Sequence, residues 1–206
     1  MDAQGTPRPQ VAVLAGINGA GKSTASQRIL REAMKIPLFT NADVIARGLN
    51  AFDVEAEAGK AGRIMLEHMR ELVTARRSFA FETTLSGRAY VKWLRDMKRD
   101  GYDVHLFYYW LDSADVAIRR VADRVRAGGH HIPDETVRRR YARSVGNFLE
   151  LYRPIVTTWQ VYDNSDGPSR LLAFSNSYFD TVVDEVRWDI FQRSADDGGA
   201  NDPPGG

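Results

Sequence analysis

Cysteine is absent from the 206-residue chain. Its absence excludes disulfides and thiolate metal sites, and it fits a reducing cytoplasm. Long apolar runs are missing as well, since none approaches the roughly 20 residues of a membrane span. The first ten residues are polar and include two prolines, so neither a signal peptide nor an anchor is expected there. Excess charge is lacking too: 28 Lys and Arg nearly cancel 27 Asp and Glu, and a net charge of +1 argues against bulk nucleic-acid binding. The sequence contains no internal repeat and no linker that would divide off a second domain. Residues 194–206 are rich in Gly, Asp and Pro without apolar periodicity, which predicts a disordered tail. Residues 1–193 suit one domain with a real core. A hydrophobic content of 43% and a charged content of 27% are ordinary for a globular protein, so composition leaves function open.

What is present is sharper. Gly16-Ile17-Asn18-Gly19-Ala20-Gly21-Lys22-Ser23-Thr24 fits the phosphate-binding pattern G-x-x-x-x-G-K-[ST] at every fixed position. It follows a short apolar run at 11–15 and opens a helical pattern at 22–34, and the chemistry needs both neighbours. Glycines let backbone N–H groups turn inward around a β-phosphate, and the helix dipole favours the anion. Gly16, Asn18, Gly19, Ala20, Gly21, Lys22, Ser23 and Thr24 are therefore the expected nucleotide-binding set. Lys22 is expected to reach the β- and γ-phosphates of ATP, and the Ser23 hydroxyl to hold Mg²⁺.

Apolar runs alternate with helical patterns along the chain, which implies βαβ units and a parallel sheet. Strands are expected at 11–15, 37–40, 78–82, 104–111 and 158–162, with an edge strand at 171–174. Helices are expected at about 55–76, with Ile64, Met65, Met69 and Leu72 as one stripe, at 88–99, and at 178–192. Asp112 or Ser113 caps a helix that buries Ala114, Ile118, Val121 and Val125. Gly128-Gly129 interrupts it, and a second helix from Pro133 or Asp134 carries Val137, Tyr141, Val145, Phe148 and Tyr152 inward. Ligands gather beyond the carboxyl ends of such strands. The candidate site is then the phosphate loop, Asp43, Glu82-Thr83-Thr84 and Asp163-Asn164-Ser165.

Neither an apolar strand ending in paired acids, as in ATPase motors, nor a guanine-specifying Asn-Lys-x-Asp is found. The chain offers instead an arginine-rich helical hairpin at about 119–145, with eight arginines between Arg119 and Arg143. Such a hairpin suits a lid that stabilises charge spreading onto a transferred phosphoryl group; two solvated basic faces are the alternative. Asp43 is placed to act as base for an acceptor hydroxyl, or else to cap the segment 44–47. Glu82 is placed to contact the acceptor or hold a Mg²⁺ water, or else serves as a satisfied structural carboxylate. Thr83 and Thr84 add hydroxyls suited to a polyhydroxylated substrate. His130 and His131 lack further ligands at metal spacing, so no zinc site is expected. One of them is expected to fix the lid or touch phosphate.

With these segments in view, the chain resembles the zeta toxin family of P-loop kinases, in its short chromosomal branch. The resemblance rests on residues 16–24, Asn-Ala-Asp at 41–43, Phe-Glu-Thr-Thr-Leu-Ser-Gly at 81–87, Arg-Val-Arg-Ala-Gly-Gly-His-His-Ile-Pro at 124–133 and Arg-Arg-Arg-Tyr-Ala-Arg-Ser at 138–144. It implies a three-layer α/β P-loop kinase fold with a central parallel sheet and a helical lid hairpin. It also implies ATP- and Mg²⁺-dependent phosphorylation of a small-molecule hydroxyl; in the toxin members the acceptor is a UDP-activated amino sugar such as UDP-N-acetylglucosamine, and an antitoxin partner blocks the nucleotide site. Carried across, Lys22 is the phosphate lysine, Asp43 the base, Glu82 and Thr84 acceptor contacts, and Arg124, Arg126, Arg139 and Arg140 the lid arginines. The chain departs from the family at Ser86, where the toxin pattern has arginine; Arg88 stands two residues on. A nucleotide-gated interaction protein is the second reading. RNA binding through the arginine hairpin is the third, and nucleic acid and membranes are not expected partners.

Overall fold

Five of the apolar runs become parallel strands of a single sheet, and two short antiparallel strands extend it. The computed structural model describes residues 7–129, 131–176 and 178–196. Strand β1 (Gln10–Ala15) feeds helix α1 (Lys22–Gln27), which continues as a π-helical stretch, Arg28–Ala33. Then come β2 (Phe39–Thr40), α2 (Ala42–Leu49), α3 (Ala58–Thr74), β3 (Phe79–Thr83), α4 (Ala89–Arg99) and β4 (Asp103–Trp110). Next are α5 (Ala114–Arg126) and α6 (Asp134–Asn147), the latter running into a π-helical turn, Phe148–Tyr152. The chain closes with β5 (Thr158–Asp163), β6 (Arg170–Ser175), β7 (Asp180–Val182) and α7 (Glu185–Arg193).

The sheet order is β2-β3-β1-β4-β5-β6-β7. Residues 11–15 of β1 are all buried because helices cover both faces, as the unbroken apolar run requires. Their side chains alternate between two cores. Val11, Val13 and Ala15 meet Met65 and Met69 of α3, Leu94 of α4 and Phe191 of α7. Ala12 and Leu14 meet Leu30, with Ala117 and Val121 of α5. This gives the three-layer α/β arrangement of a P-loop kinase. Helix α6 contributes Val137 and Tyr141 to the second core and Val145 to the first, so it crosses from one face of the sheet to the other.

Several expectations need correction. The sheet is mixed, since β6 and β7 run antiparallel to their neighbours. The 178–192 helix is shorter: Asp184 accepts a hydrogen bond from the Arg187 N–H and starts α7 there, while 180–182 pair with β6. On α3 the buried face is Ala61, Met65, Met69 and Leu72, and Ile64 lies one helical step to the side, exposed. The early strand is only two residues long, and α2 follows at once. Ser194, placed in the tail, is buried and donates to the Phe191 carbonyl; residues 197–206 lie outside the described residues.

Candidate active site

Parallel register brings the site together. Ala15 of β1 lies opposite Thr83 of β3 and Tyr108 of β4, so the phosphate loop leaves the sheet between those two strand ends. Gly16 there has φ 133, and a Cβ on it would lie 2.2 Å from the Tyr109 carbonyl oxygen, so only glycine passes. Thr40 of β2 pairs with Phe81 of β3. The next residues, Asn41 and Glu82, therefore emerge side by side.

Glu82 is the hub. Its Oε2 accepts from the Ser23 hydroxyl at 2.9 Å and from Asn41 Nδ2 at 2.9 Å, and its Oε1 lies 3.5 Å from Lys22 Nζ. Lys22 is buried and donates to the Ile17 carbonyl at 2.9 Å. Burial pulls its pKa down. The charges of Glu82 and Asp43 oppose that fall, and Arg124 adds to it. A base candidate and one lid arginine thus lie within electrostatic reach of the phosphate lysine.

Asp43 is in the first turn of α2, and the cap is Asn41, whose Oδ1 accepts from the Asp43 N–H at 2.8 Å and the Val44 N–H at 3.4 Å. The capping alternative for Asp43 is thereby set aside. Thr83 accepts from the Leu85 N–H at 3.1 Å, and the Thr84 and Ser86 hydroxyls are 2.8 Å apart. Helix α6 grips this loop: Ser144 donates to the Thr84 carbonyl, and Asn147 to that of Leu85 at 2.8 Å.

The four lid arginines separate by position. Arg140 donates to Asn18 Oδ1 of the phosphate loop at 3.2 Å. Arg124 is exposed, and its positive charge acts on Lys22. Arg126 instead pairs with Asp123 and lines a groove with Arg119, Arg120, Ser165 and Asp166; Arg139 is exposed. The Gly128-Gly129 pair ends α5, and α6 starts at Asp134 as the sequence implies. Gly128 (φ 85) donates to the Val125 carbonyl at 2.9 Å and Gly129 to that of Arg124 at 2.8 Å, a paired closure that needs a left-handed residue. His130 lies outside the described residues, and His131 is exposed.

The end of β5, already part of the candidate site, braces the phosphate loop with the help of Arg187, a residue that sequence patterning could not single out. Asn164 Nδ2 donates to the Ala20 carbonyl at 2.7 Å, bracing the phosphate loop from the β5 side. Asp163 is buried and is held by the Ser165 N–H at 2.8 Å and by Arg187 Nη2 at 2.6 Å. The signal lies 24 residues away, in a helix whose position no short motif announces.

The oxygen donors fit Mg²⁺. That ion takes one or two protein oxygens and otherwise phosphate and water oxygens, and Ser23 and Glu82 present such a pair. Among the described residues, no group of three or more His, Asp or Glu forms a closed metal cage. Nor is any helix of the described residues long and apolar enough to cross a membrane.

A family profile described as an AAA domain matches residues 11–145. An uncharacterized protein of Haemophilus influenzae is 30% identical over 126 residues, covering 61% of this chain and 88% of the relative. Two solved structures share the fold. One is the AvrRxo1-ORF1:-ORF2 complex with ATP (14% identity, TM-score 0.70), matched over 93% of this chain, which spans 65% of the length of that chain. The other is from the PezAT chromosomal toxin-antitoxin system of Streptococcus pneumoniae (18% identity, TM-score 0.60), matched over 93% of this chain and 86% of that one.

Proposed function

Because the chain belongs to the AAA domain family, we propose that it is an ATP-dependent phosphotransferase of zeta-toxin-like type. It moves the γ-phosphoryl group of ATP onto a hydroxyl of a small molecule, such as a nucleotide-activated sugar of the UDP-N-acetylglucosamine kind. The observation that carries this reading is the buried Lys22 ammonium set between Glu82 and the fields of Asp43 and Arg124. A protein that merely binds nucleotide has no need of two carboxylates there.

The 16–24 backbone cradles the β-phosphate, and Lys22 leaves the Ile17 carbonyl and Glu82 to meet the γ-phosphate. Asp43 accepts the proton of the acceptor hydroxyl as its oxygen attacks phosphorus in line; the bond from phosphorus to the β-bridging oxygen breaks, and ADP leaves with that electron pair. Arg140 and Arg124 supply positive charge where negative charge spreads over the equatorial oxygens. Ser23 and Glu82 would hold Mg²⁺, which would supply positive charge against the phosphate oxygens. The adenine of ATP packs in the groove between α5 and residues 165–166. The Thr84–Ser86 hydroxyl pair and Thr83 line the acceptor side. The toxin-antitoxin setting of the PezAT structure supports an antitoxin partner.

The test is incubation with ATP labelled at the γ-phosphate, Mg²⁺ and a small-metabolite extract, with UDP-N-acetylglucosamine in a parallel reaction. A new phosphorylated small molecule is expected, and it should vanish with Asp43→Ala. Binding of ATP with no transfer to any metabolite would leave only a nucleotide-gated interaction module.

A further inference from the structure

We propose that Asn41 is a positioning residue that fixes the base carboxylate of Asp43 relative to the phosphate loop through a single side-chain amide. This deepens the kinase reading and rests on it. The two ends of the amide do different things. Its oxygen caps α2 by accepting from the Asp43 and Val44 N–H groups, and its nitrogen donates to Glu82 Oε2 at 2.9 Å. Glu82 in turn accepts from Ser23 and faces Lys22. A continuous polar chain thus runs from the phosphate loop through Glu82 and Asn41 to the peptide N–H of Asp43.

Apolar contacts hold α2 mainly toward α3, with Ala42 and Ile45 half-buried against the first core. Of its eight residues only Ala46 is buried, in a small cluster with Val54 and Ala61 that is separate from both main cores. The preceding strand is two residues long, and its Phe39 is exposed. Val44, beside the carboxylate, is exposed as well. The group that must meet the acceptor oxygen therefore sits on a helix whose apolar contacts face α3 and the first core, so its placement relative to the phosphate loop falls to polar links. An in-line transfer tolerates a displacement of about 1 Å poorly, at roughly 100-fold in rate. The Asn41–Glu82 hydrogen bond is what ties that helix to the phosphate loop.

Capping and tethering can be separated, because Ser and Asp cap helices about as well as Asn but neither can donate from a nitrogen to Glu82. In Asn41→Ser the tether is lost with the cap kept. In Asn41→Asp the size is kept as well, and a carboxylate faces a carboxylate. Transfer from labelled ATP into the metabolite extract is expected to fall on the order of 10- to 100-fold in kcat for Asn41→Ser, and further for Asn41→Asp. The KM for ATP should stay close to wild type, a split that general destabilisation would not give. Amide hydrogen exchange, read without any acceptor, should quicken in residues 42–49 of both variants while β1 and β4 stay protected. Wild-type kcat with wild-type exchange in Asn41→Ser overturns the proposal, and so does a loss shared equally between kcat and ATP affinity. Faster exchange in α2 in a protein whose wild type transfers no phosphate upholds the tether and overturns the kinase reading instead.

Discussion

Arg140 on α6 donates to the side-chain oxygen of Asn18 in the phosphate loop, at 3.2 Å and across 122 residues of chain. The contact puts one guanidinium of the arginine-rich hairpin against the phosphate loop. Arg138, two residues earlier, turns outward to Asp115 on α5, with both side chains more than half exposed. The helix thus sorts neighbouring arginines into an inward and an outward role.

Arg140→Ala is expected to lower transfer by about 1,000-fold or more, the scale of an arginine acting on transferred phosphoryl charge. Arg140→Lys should recover only part, because an ammonium lacks the planar fork. Arg138→Ala removes an exposed ion pair and should change stability by less than about 1 kcal/mol. Transfer rates and urea melts of the three variants check this. Equal losses for Arg138 and Arg140 would count against the sorting.

Asp43 and Lys22 should fail differently. Asp43→Ala is expected to cut transfer roughly 10²- to 10⁴-fold, the usual worth of a positioned base, with ATP affinity near wild type. Lys22→Ala should lose both affinity and transfer, because the role proposed for its ammonium is to meet the phosphates directly. Calorimetric ATP titration beside a transfer assay separates the two. Normal transfer by Asp43→Ala would remove that carboxylate from the mechanism.

How much of this was legible in the residues depended on how local the cause is. The phosphate loop could be read outright, because strand, glycine turn and helix start lie in one continuous stretch and Gly16 is forced by a backbone contact. The strands β1, β3, β4 and β5 were legible as apolar runs. Strand β7 was not, because three residues carry no periodicity and its pairing with β6 decides it. Ile64 was misplaced because its neighbours Ala61, Met65 and Met69 already fill the buried face of α3. The carboxylates were recognisable as strand-end residues, but the bond between Asn41 and Glu82 comes from the β2–β3 register, in which Thr40 pairs with Phe81. No local pattern encodes that register. Arg124, Arg126, Arg139 and Arg140 looked alike in sequence, and only their places on α5 and α6 distinguish them.

The turn that ends α5 should be sensitive to a single methyl group. On Gly129 a Cβ would lie 2.6 Å from Cγ of Arg124 and 2.8 Å from its carbonyl oxygen. Gly129→Ala should therefore displace the Arg124 stem, lowering transfer more than it lowers stability. Gly128→Ala acts on backbone conformation alone, since nothing lies within 4 Å of its Cβ while its φ is 85. It should cost about 1 kcal/mol of stability with a smaller effect on rate. Urea midpoints and transfer rates of the two variants give the comparison, and the opposite ordering would mean that Arg124 does not depend on this turn.

Asp163 and Arg187 make the loop after β5 pH-sensitive in one direction. Burial alone would raise the Asp163 pKa, but the Ser165 hydroxyl and N–H and the Arg187 guanidinium outweigh it and hold the carboxyl below its usual value. A carboxylate whose pKa is lower in the folded state stabilises that state at pH values above its unfolded pKa, near 4. The contribution is then lost as pH falls through the lowered folded value. Asp163→Asn should cost about 2 kcal/mol at pH 7, less than a wholly buried pair, because Arg187 is partly exposed. The gap in urea midpoint between wild type and Asp163→Asn should stay constant from pH 7 to about pH 5 and close below pH 4. Because Ser165 and Asn164 follow directly, and Asn164 braces the Ala20 carbonyl, the same variant should weaken ATP binding at neutral pH. A gap that does not shrink at all as pH falls below the unfolded value would mean that the pair's charge does not stabilise the loop, and that its packing alone does.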